Sequence, residues 1–239
     1  MNESLVKISV MSIAKQEREF DQLRGALANQ TLKDFEFVTS TKNTIPEAWN
    51  DAISRAKGEI IVFTESDAIP LTSTWLEEIA KHAKNGTILK GLEIKATDLD
   101  LCNLVCDAEI FKNLKFDESF KICEDTEFFV RARKNGVDIR FVNAFPVIHS
   151  PSSTWRKTLY RAPRFGINHI KILYLHGKDN IEDINTRNFK GNHINPVSNR
   201  IRIITENLLI LLGLFIGSVY YLPILVKRKL RNSIRKTAK

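Results

Sequence analysis

Glu59-Ile-Ile-Val-Phe-Thr64, followed at once by Glu65-Ser66-Asp67, is the stretch that decides how this chain folds. Its apolar run carries no polar alternation, so as a strand it needs cover on both faces, as in the middle of a parallel sheet. The run then stops on two carboxylates two positions apart. Ligands of open α/β sheets bind beyond the carboxyl ends of the strands, so this acidic turn occupies the place where chemistry is expected.

Toward the amino terminus, Leu5 to Ile13 reads as a buried strand, and Glu17 to Gln30 sets Phe20, Leu23 and Leu27 at helical spacing. Phe35 to Val38 is a second strand. Thr44-Ile-Pro-Glu47 opens a helix with a capping-box pattern and a proline in its first turn, and Gly58 reads as its end. In the other direction, Thr74-Trp-Leu-Glu77 starts a helix that runs to about Lys84, with Trp75, Ile79 and Ala83 on one face and Asn85-Gly86 after it. From Gly91 to Phe120 the periodicity weakens, and the pattern supports only a strand near Leu101 to Val105 and a turn near Lys115 to Ser119. Glu124 to Lys134 is again helical, ended by Asn135-Gly136, and Val137 to Val142 is a strand. Strands alternating with helices across short turns predict an α/β domain over residues 1–150, built on a doubly wound, mixed but mostly parallel sheet.

The 239 residues suffice for one substantial domain and an appendage, and 43% hydrophobic with 27% charged residues excludes a disordered or fibrous chain. Charge is unevenly placed. Residues 1–150 hold 19 Lys/Arg against 24 Asp/Glu, a net of −5, whereas 151–239 hold 17 against 4, a net of +13. An acidic first part is no nucleic-acid platform; the basic remainder calls for a polyanion, and anionic membrane lipid is taken over nucleic acid. Cys102, Cys106 and Cys123 form no CxxC pair and no His/Cys cluster, which gives neither a zinc site nor a disulfide framework and suits a reducing cytosol. Met1 to Val10 is too short an apolar run for a signal peptide, so the domain is expected to stay in the compartment where it is made.

Two acidic groups could carry chemistry. Glu65 and Asp67 could share one divalent ion with a diphosphate, since Mg²⁺ and Mn²⁺ take oxygen ligands and keep phosphate and water in their remaining positions; the plainer reading is a solvated turn. Glu124 and Asp125 begin a helix, where carboxylates cap the positive end of the dipole. With Glu127 they crowd three acids into one turn, a repulsion that a metal or a proton from a substrate hydroxyl would relieve.

Taken together, Ser9-Val10, Asn29-Gln-Thr-Leu-Lys-Asp-Phe-Glu36, Trp49-Asn-Asp-Ala52, Ala56-Lys-Gly-Glu-Ile-Ile-Val-Phe63, Glu65-Ser-Asp-Ala68, Phe116-Asp-Glu-Ser-Phe120 and Glu124-Asp-Thr-Glu127 resemble the family-2 inverting glycosyltransferases of the GT-A fold, in order and in spacing, over roughly residues 5–150. That resemblance implies a nucleotide-sugar-binding domain in which Glu65, Ser66 and Asp67 hold the donor, Asp67 and Glu65 hold Mg²⁺ or Mn²⁺, and Asp125, with Glu124 beside it, takes the proton from the acceptor. It also brings His149 to the metal or diphosphate, and lets Arg156, Arg161 and Arg164 offset diphosphate charge. The segments Met11 to Gln16 and Phe37 to Lys42 depart from the family's nucleoside-holding loops, so the choice among UDP, GDP and dTDP donors stays open.

Beyond residue 150 the sequence divides into a basic, aromatic segment at 151–200 and, at 201–239, a hydrophobic helix with a basic tail. Asn207 to Val226 is twenty residues without a charge, about 30 Å as a helix, the thickness of a bilayer's hydrocarbon core. Seven basic residues follow it with no acid, which by the positive-inside bias keeps that flank on the cytosolic side. The expected protein therefore sits on the cytoplasmic face of the cell membrane, attached through this segment, and extends a lipid-linked or surface glycan. A polyprenyl-phosphate acceptor, or a catalytically silent membrane partner of the same fold, are the alternatives, and a homo-oligomer is compatible with either.

Overall fold

The computed structural model describes residues 8–94, 100–149, 155–177 and 207–224. In chain order the strands are β1 Ile8–Ile13, β2 Phe35–Ser40, β3 Ile60–Phe63, β4 Ala68–Pro70, β5 Thr87–Lys90, β6 Glu93–Ile94, β7 Leu104–Asp107, β8 Asp138–Phe141 and β9 Val147–His149. The helices are α1 Asp21–Ala28, α2 Ile45–Arg55, α3 Trp75–His82, α4 Ile110–Asn113, α5 Glu124–Lys134, α6 Trp155–His176 and α7 Asn207–Ile224. The chain divides into two compact units, the first built on residues 1–151 and the second carrying α6 and α7.

A six-stranded sheet ordered β2-β1-β3-β7-β5-β8 runs through the first unit. β1 lies parallel to β2 and β3, β5 is parallel to β8, and β7 alone runs antiparallel to its neighbours β3 and β5. The expected α/β class and mostly parallel sheet are therefore observed. β3, flanked by β1 and β7, is central, and Ile61, Val62 and Phe63 are buried as the unbroken apolar run requires. A small second sheet, β4-β9-β6, stands just past β3. It carries the turn Glu65 to Asp67 into register with the end of β9, Ala68 lying opposite His149.

Several local expectations need correction. The first predicted helix splits into a 3-10 turn at Glu17–Phe20 and α1, which stops at Ala28. Gln30, beyond that end, is instead buried, donating to Thr72 O at 2.9 Å and accepting from the Leu76 amide at 3.1 Å. α2 stops at Arg55, with Ala56 already extended, so Gly58 is not its terminator. Gly58 is needed for a close approach: a Cβ there would collide with the backbone of β1, and its amide donates to Ser9 Oγ at 2.7 Å. The strand read near Leu101 to Val105 begins only at Leu104, because Asn103 takes a left-handed conformation (φ 49°). Leu5 to Lys7 fall outside the described residues.

In the second unit, the segment read only as basic and aromatic holds the 22-residue α6. α6 packs on α7 through small residues. A Cβ on Gly213 would collide with the carbonyl of Pro163, and one on Gly166 with the carbonyl of Ile210, while Gly217 faces Ile170 and Tyr174 meets Tyr221 at 5.5 Å. Pro163 lacks the amide that would bond to the preceding turn, and the close crossing occurs at that point. Among the described residues α7 is the one helix long and apolar enough to cross a membrane. Residues 201–206 and the basic tail lie outside the described residues.

Candidate active site

The geometry of the acidic turn starts from the end of β3. Thr64 continues the ladder by donating its amide to Met11 O at 3.0 Å, and Ala68 N closes the turn onto Glu65 O at 3.1 Å. β4 then returns beside β9, so the turn's carboxylates meet the imidazole of His149: Nε2 lies 3.2 Å from Glu65 Oε2 and 3.6 Å from Asp67 Oδ1. Nδ1 faces Glu93 Oε2 at 3.0 Å, which places a proton on Nδ1, since the carboxylate can only accept. His149 is 3% exposed, and among the described residues its Nε2 makes no hydrogen bond of good geometry, the two carboxylates lying near it but off-line.

A buried ring nitrogen left unsatisfied beside two half-exposed carboxylates is an unusual arrangement. One atom from each of Glu65, Asp67 and His149 lies within 4.8 Å of the other two. Two oxygens and one imidazole nitrogen form a donor set that fits a divalent cation such as Mn²⁺, with room left for phosphate and water. The electrostatics agree. Burial opposes the charged imidazole, yet Asp67, Cys102, Glu65 and Glu93 outweigh it and hold the His149 pKa far above its ordinary value. A proton on Nε2 and a divalent cation answer the same negative field.

Glu93, Cys102 and His149 form a second close group, but not a cation site. The ammonium of Lys90 already sits against Glu93 there, and burial pushes the Cys102 thiol up to about 12, so no thiolate is available. Cys106 and Cys123 are likewise buried free thiols.

Glu124 and Asp125 stand in the first turn of α5, which follows Cys123 in a left-handed conformation (φ 65°). Asp125 Oδ1 accepts from the Thr126 amide at 2.6 Å, and Glu124 is buried. The third acid of that turn is structural: Glu127 is gripped by Arg131 through Nε at 2.7 Å and Nη2 at 2.8 Å, and Arg131 also donates to Lys115 O. α5 is seated by aromatic rings, Phe116 on Phe128 at 4.6 Å and Phe111 on Phe128 at 5.4 Å, while Asn50 exchanges both amide bonds with the backbone of Phe116. Asn50, Phe111 and Phe116 thus hold up the helix that carries Asp125.

Residues 20–95 match the sequence profile described as Glycosyl transferase family 2. The fold is similar to that of the mannosyltransferase PcManGT from Pyrobaculum calidifontis, solved with GDP-Man and Mn²⁺ (TM-score 0.59, 13% identity, 72% of this chain and 65% of that one). The fold is GT-A, and the family-2 profile match covers residues 20–95 of it. The S. aureus TarS fragment solved with UDP has the same fold (TM-score 0.54, 14% identity, 87% of this chain and 80% of that one). No curated protein matches the sequence. The chain spans just under two thirds of the length of the mannosyltransferase, 65%.

Within this GT-A unit the structure brings Glu65, Asp67 and His149 together, with Ser66 in the turn between the acids. It positions Glu124 and Asp125 from a separate element, α5. Arg156, Arg161 and Arg164 belong to α6 of the other unit, where Arg164 stacks on Tyr160 at 3.8 Å. Sequence reading missed Lys90, Glu93 and Asp100. Their one visible trace was a Lys/Glu pair three residues apart inside the apolar run Ile88 to Ile94.

Proposed function

We propose that this chain is an inverting glycosyltransferase, moving a sugar from a nucleoside-diphosphate donor to an acceptor hydroxyl at the cytosolic face of a membrane. The convergence of Glu65, Asp67 and His149 at the carboxyl end of the central strand carries this reading. Asp67, Glu65 and His149 would hold Mg²⁺ or Mn²⁺, and Glu65 with Ser66 would lie along the donor's ribose and diphosphate. A bound cation would supply positive charge where the leaving diphosphate becomes more negative. Asp125, backed by Glu124, takes the proton from the acceptor hydroxyl; the acceptor oxygen forms its bond to the anomeric carbon as the diphosphate oxygen leaves from the opposite face, and no covalent enzyme intermediate arises. The exposed apolar face of α7 favours attachment to lipid and an acceptor carried on lipid, either a lipid-linked glycan or a polyprenyl phosphate.

The test is a panel of UDP-, GDP- and dTDP-sugars with Mn²⁺ or Mg²⁺, read by melting temperature and by released nucleotide, on wild-type protein and on Asp67→Ala. One donor should raise the wild-type melting temperature in a metal-dependent way, and Asp67→Ala should lose that response. Equal donor binding by both proteins would remove the acidic turn from the site.

A further inference from the structure

Behind the donor site, and on the side of His149 facing away from it, lies a line of charges, buried at Lys90 and Glu93 and partly exposed at Asp100, that the proposed reaction does not itself use. Asp100 Oδ1 accepts from Lys90 Nζ at 2.6 Å, Lys90 is paired with Glu93, and Glu93 Oε2 meets His149 Nδ1 at 3.0 Å. Lys90 is 3% exposed and also donates to the carbonyl of Cys102. Asp100 in turn accepts from the Cys102 amide at 2.9 Å, so every member has a partner.

The line joins two sheets. Lys90 is the last residue of β5 in the large sheet, Glu93 the first of β6 in the small one, and His149 the last of β9. Between Lys90 and Glu93, Gly91 has no space for a side chain, because a Cβ would strike the Phe145 ring and Asn103. Asn103 donates to the carbonyls of Leu92 at 3.1 Å and Phe145 at 2.9 Å, which fixes the chain on both sides of the line. Phe145 itself is left-handed (φ 39°) four residues before His149. Such a buried ionic cluster is no general route to stability, since apolar residues of the same volume commonly do as well. Its geometry does serve one end: a carboxylate on Nδ1 fixes the tautomer and plane of the ring and makes Nε2 a better donor.

We infer that Glu93, locked by Lys90, is a positioning residue that orients His149 Nε2 toward the cation shared with Glu65 and Asp67. This rests on the donor-site reading above. Lys90 is paired with Glu93 and supplies its counter-charge; without it, three carboxylates would surround one imidazole with no fixed counter-charge. Glu93 then acts on the donor only through His149.

The experiment titrates the full-length chain with Mn²⁺ alone, following the spin-resonance signal of free Mn²⁺, beside a melting curve for each variant. Glu93→Gln should weaken Mn²⁺ binding about 10- to 100-fold. The double variant Lys90→Met/Glu93→Gln removes the buried Lys90–Glu93 pair and leaves Asp100, whose side chain is 24% exposed, to be met by water; it should melt cooperatively near wild type and still bind Mn²⁺ weakly. Wild-type affinity in both variants, with Asp67→Ala defective, would overturn the positioning role and leave the donor-site reading standing. Affinity lost only in proportion to lost cooperative melting would also overturn it. A wild-type chain that bound no Mn²⁺ would overturn both.

Discussion

Lys90 and Phe215 break the usual partition of residues in opposite directions. Lys90 is a charged side chain 3% exposed, whereas Phe215 is an aromatic one 68% exposed. The buried charge is tolerated because Asp100 and Glu93 outweigh the burial that opposes its ammonium, holding its pKa above the ordinary value. Among the described residues no such partner covers α7, where Leu208, Leu211, Leu212, Phe215, Val219 and Tyr220 all lie exposed while Gly213 and Gly217 turn toward α6. The lesson is that internal pairing relieves the first region of water, whereas the apolar face of α7 is left open for a partner that is itself apolar.

The largest effect should come at the proposed base, Asp125, in the first turn of α5. Asp125→Asn keeps the side chain's shape but cannot take a proton, so turnover should fall about 10²- to 10⁴-fold while the donor-induced melting shift persists. Near-wild-type transfer would take Asp125 out of the mechanism. For the apolar region, Phe215→Arg places a charge at mid-helix, which costs about 2.5–3.5 kcal/mol in a spanning helix and should release on the order of 10²-fold more protein from anionic vesicles in a flotation assay. Unchanged flotation would mean that the exposed face of α7 meets something other than lipid. The smallest effect sharpens the comparison from the side of ordinary charge. Arg140 pairs with Asp138 at 2.5 Å with both side chains largely in solvent, so Arg140→Ala should change denaturant stability by less than about 1 kcal/mol. A larger loss would show that exposed pairs here act like the Lys90 cluster.

Much of the first unit was legible along the chain. Ile60 to Phe63 announced a central strand by having no polar alternation, and Thr44 to Glu47 announced α2 by its cap and proline. Asp67 and Glu65 were legible because strand ends in such sheets are where ligands bind. β4, β6 and β9, at two or three residues each, are too short to show a period of two, so the small sheet that gathers the site left no pattern. α6 was obscured for a different reason. Its aromatic and basic residues carry no clean apolar stripe, and a proline interrupts it.

The sequence by itself determined the α/β class, the acidic turn after the central strand, the acids opening α5 and the apolar character of 207–226, because each depends on residues near one another along the chain. Tertiary structure alone decided which acids share His149. Glu65, Glu93 and His149 are 28 and 56 residues apart, and only the pairing of β4 and β6 with β9 brings them to one ring. It also decided that Glu127 is taken by Arg131 and that Lys90 stands behind Glu93, since whether a charge is free or paired depends on neighbours that the local pattern does not contain.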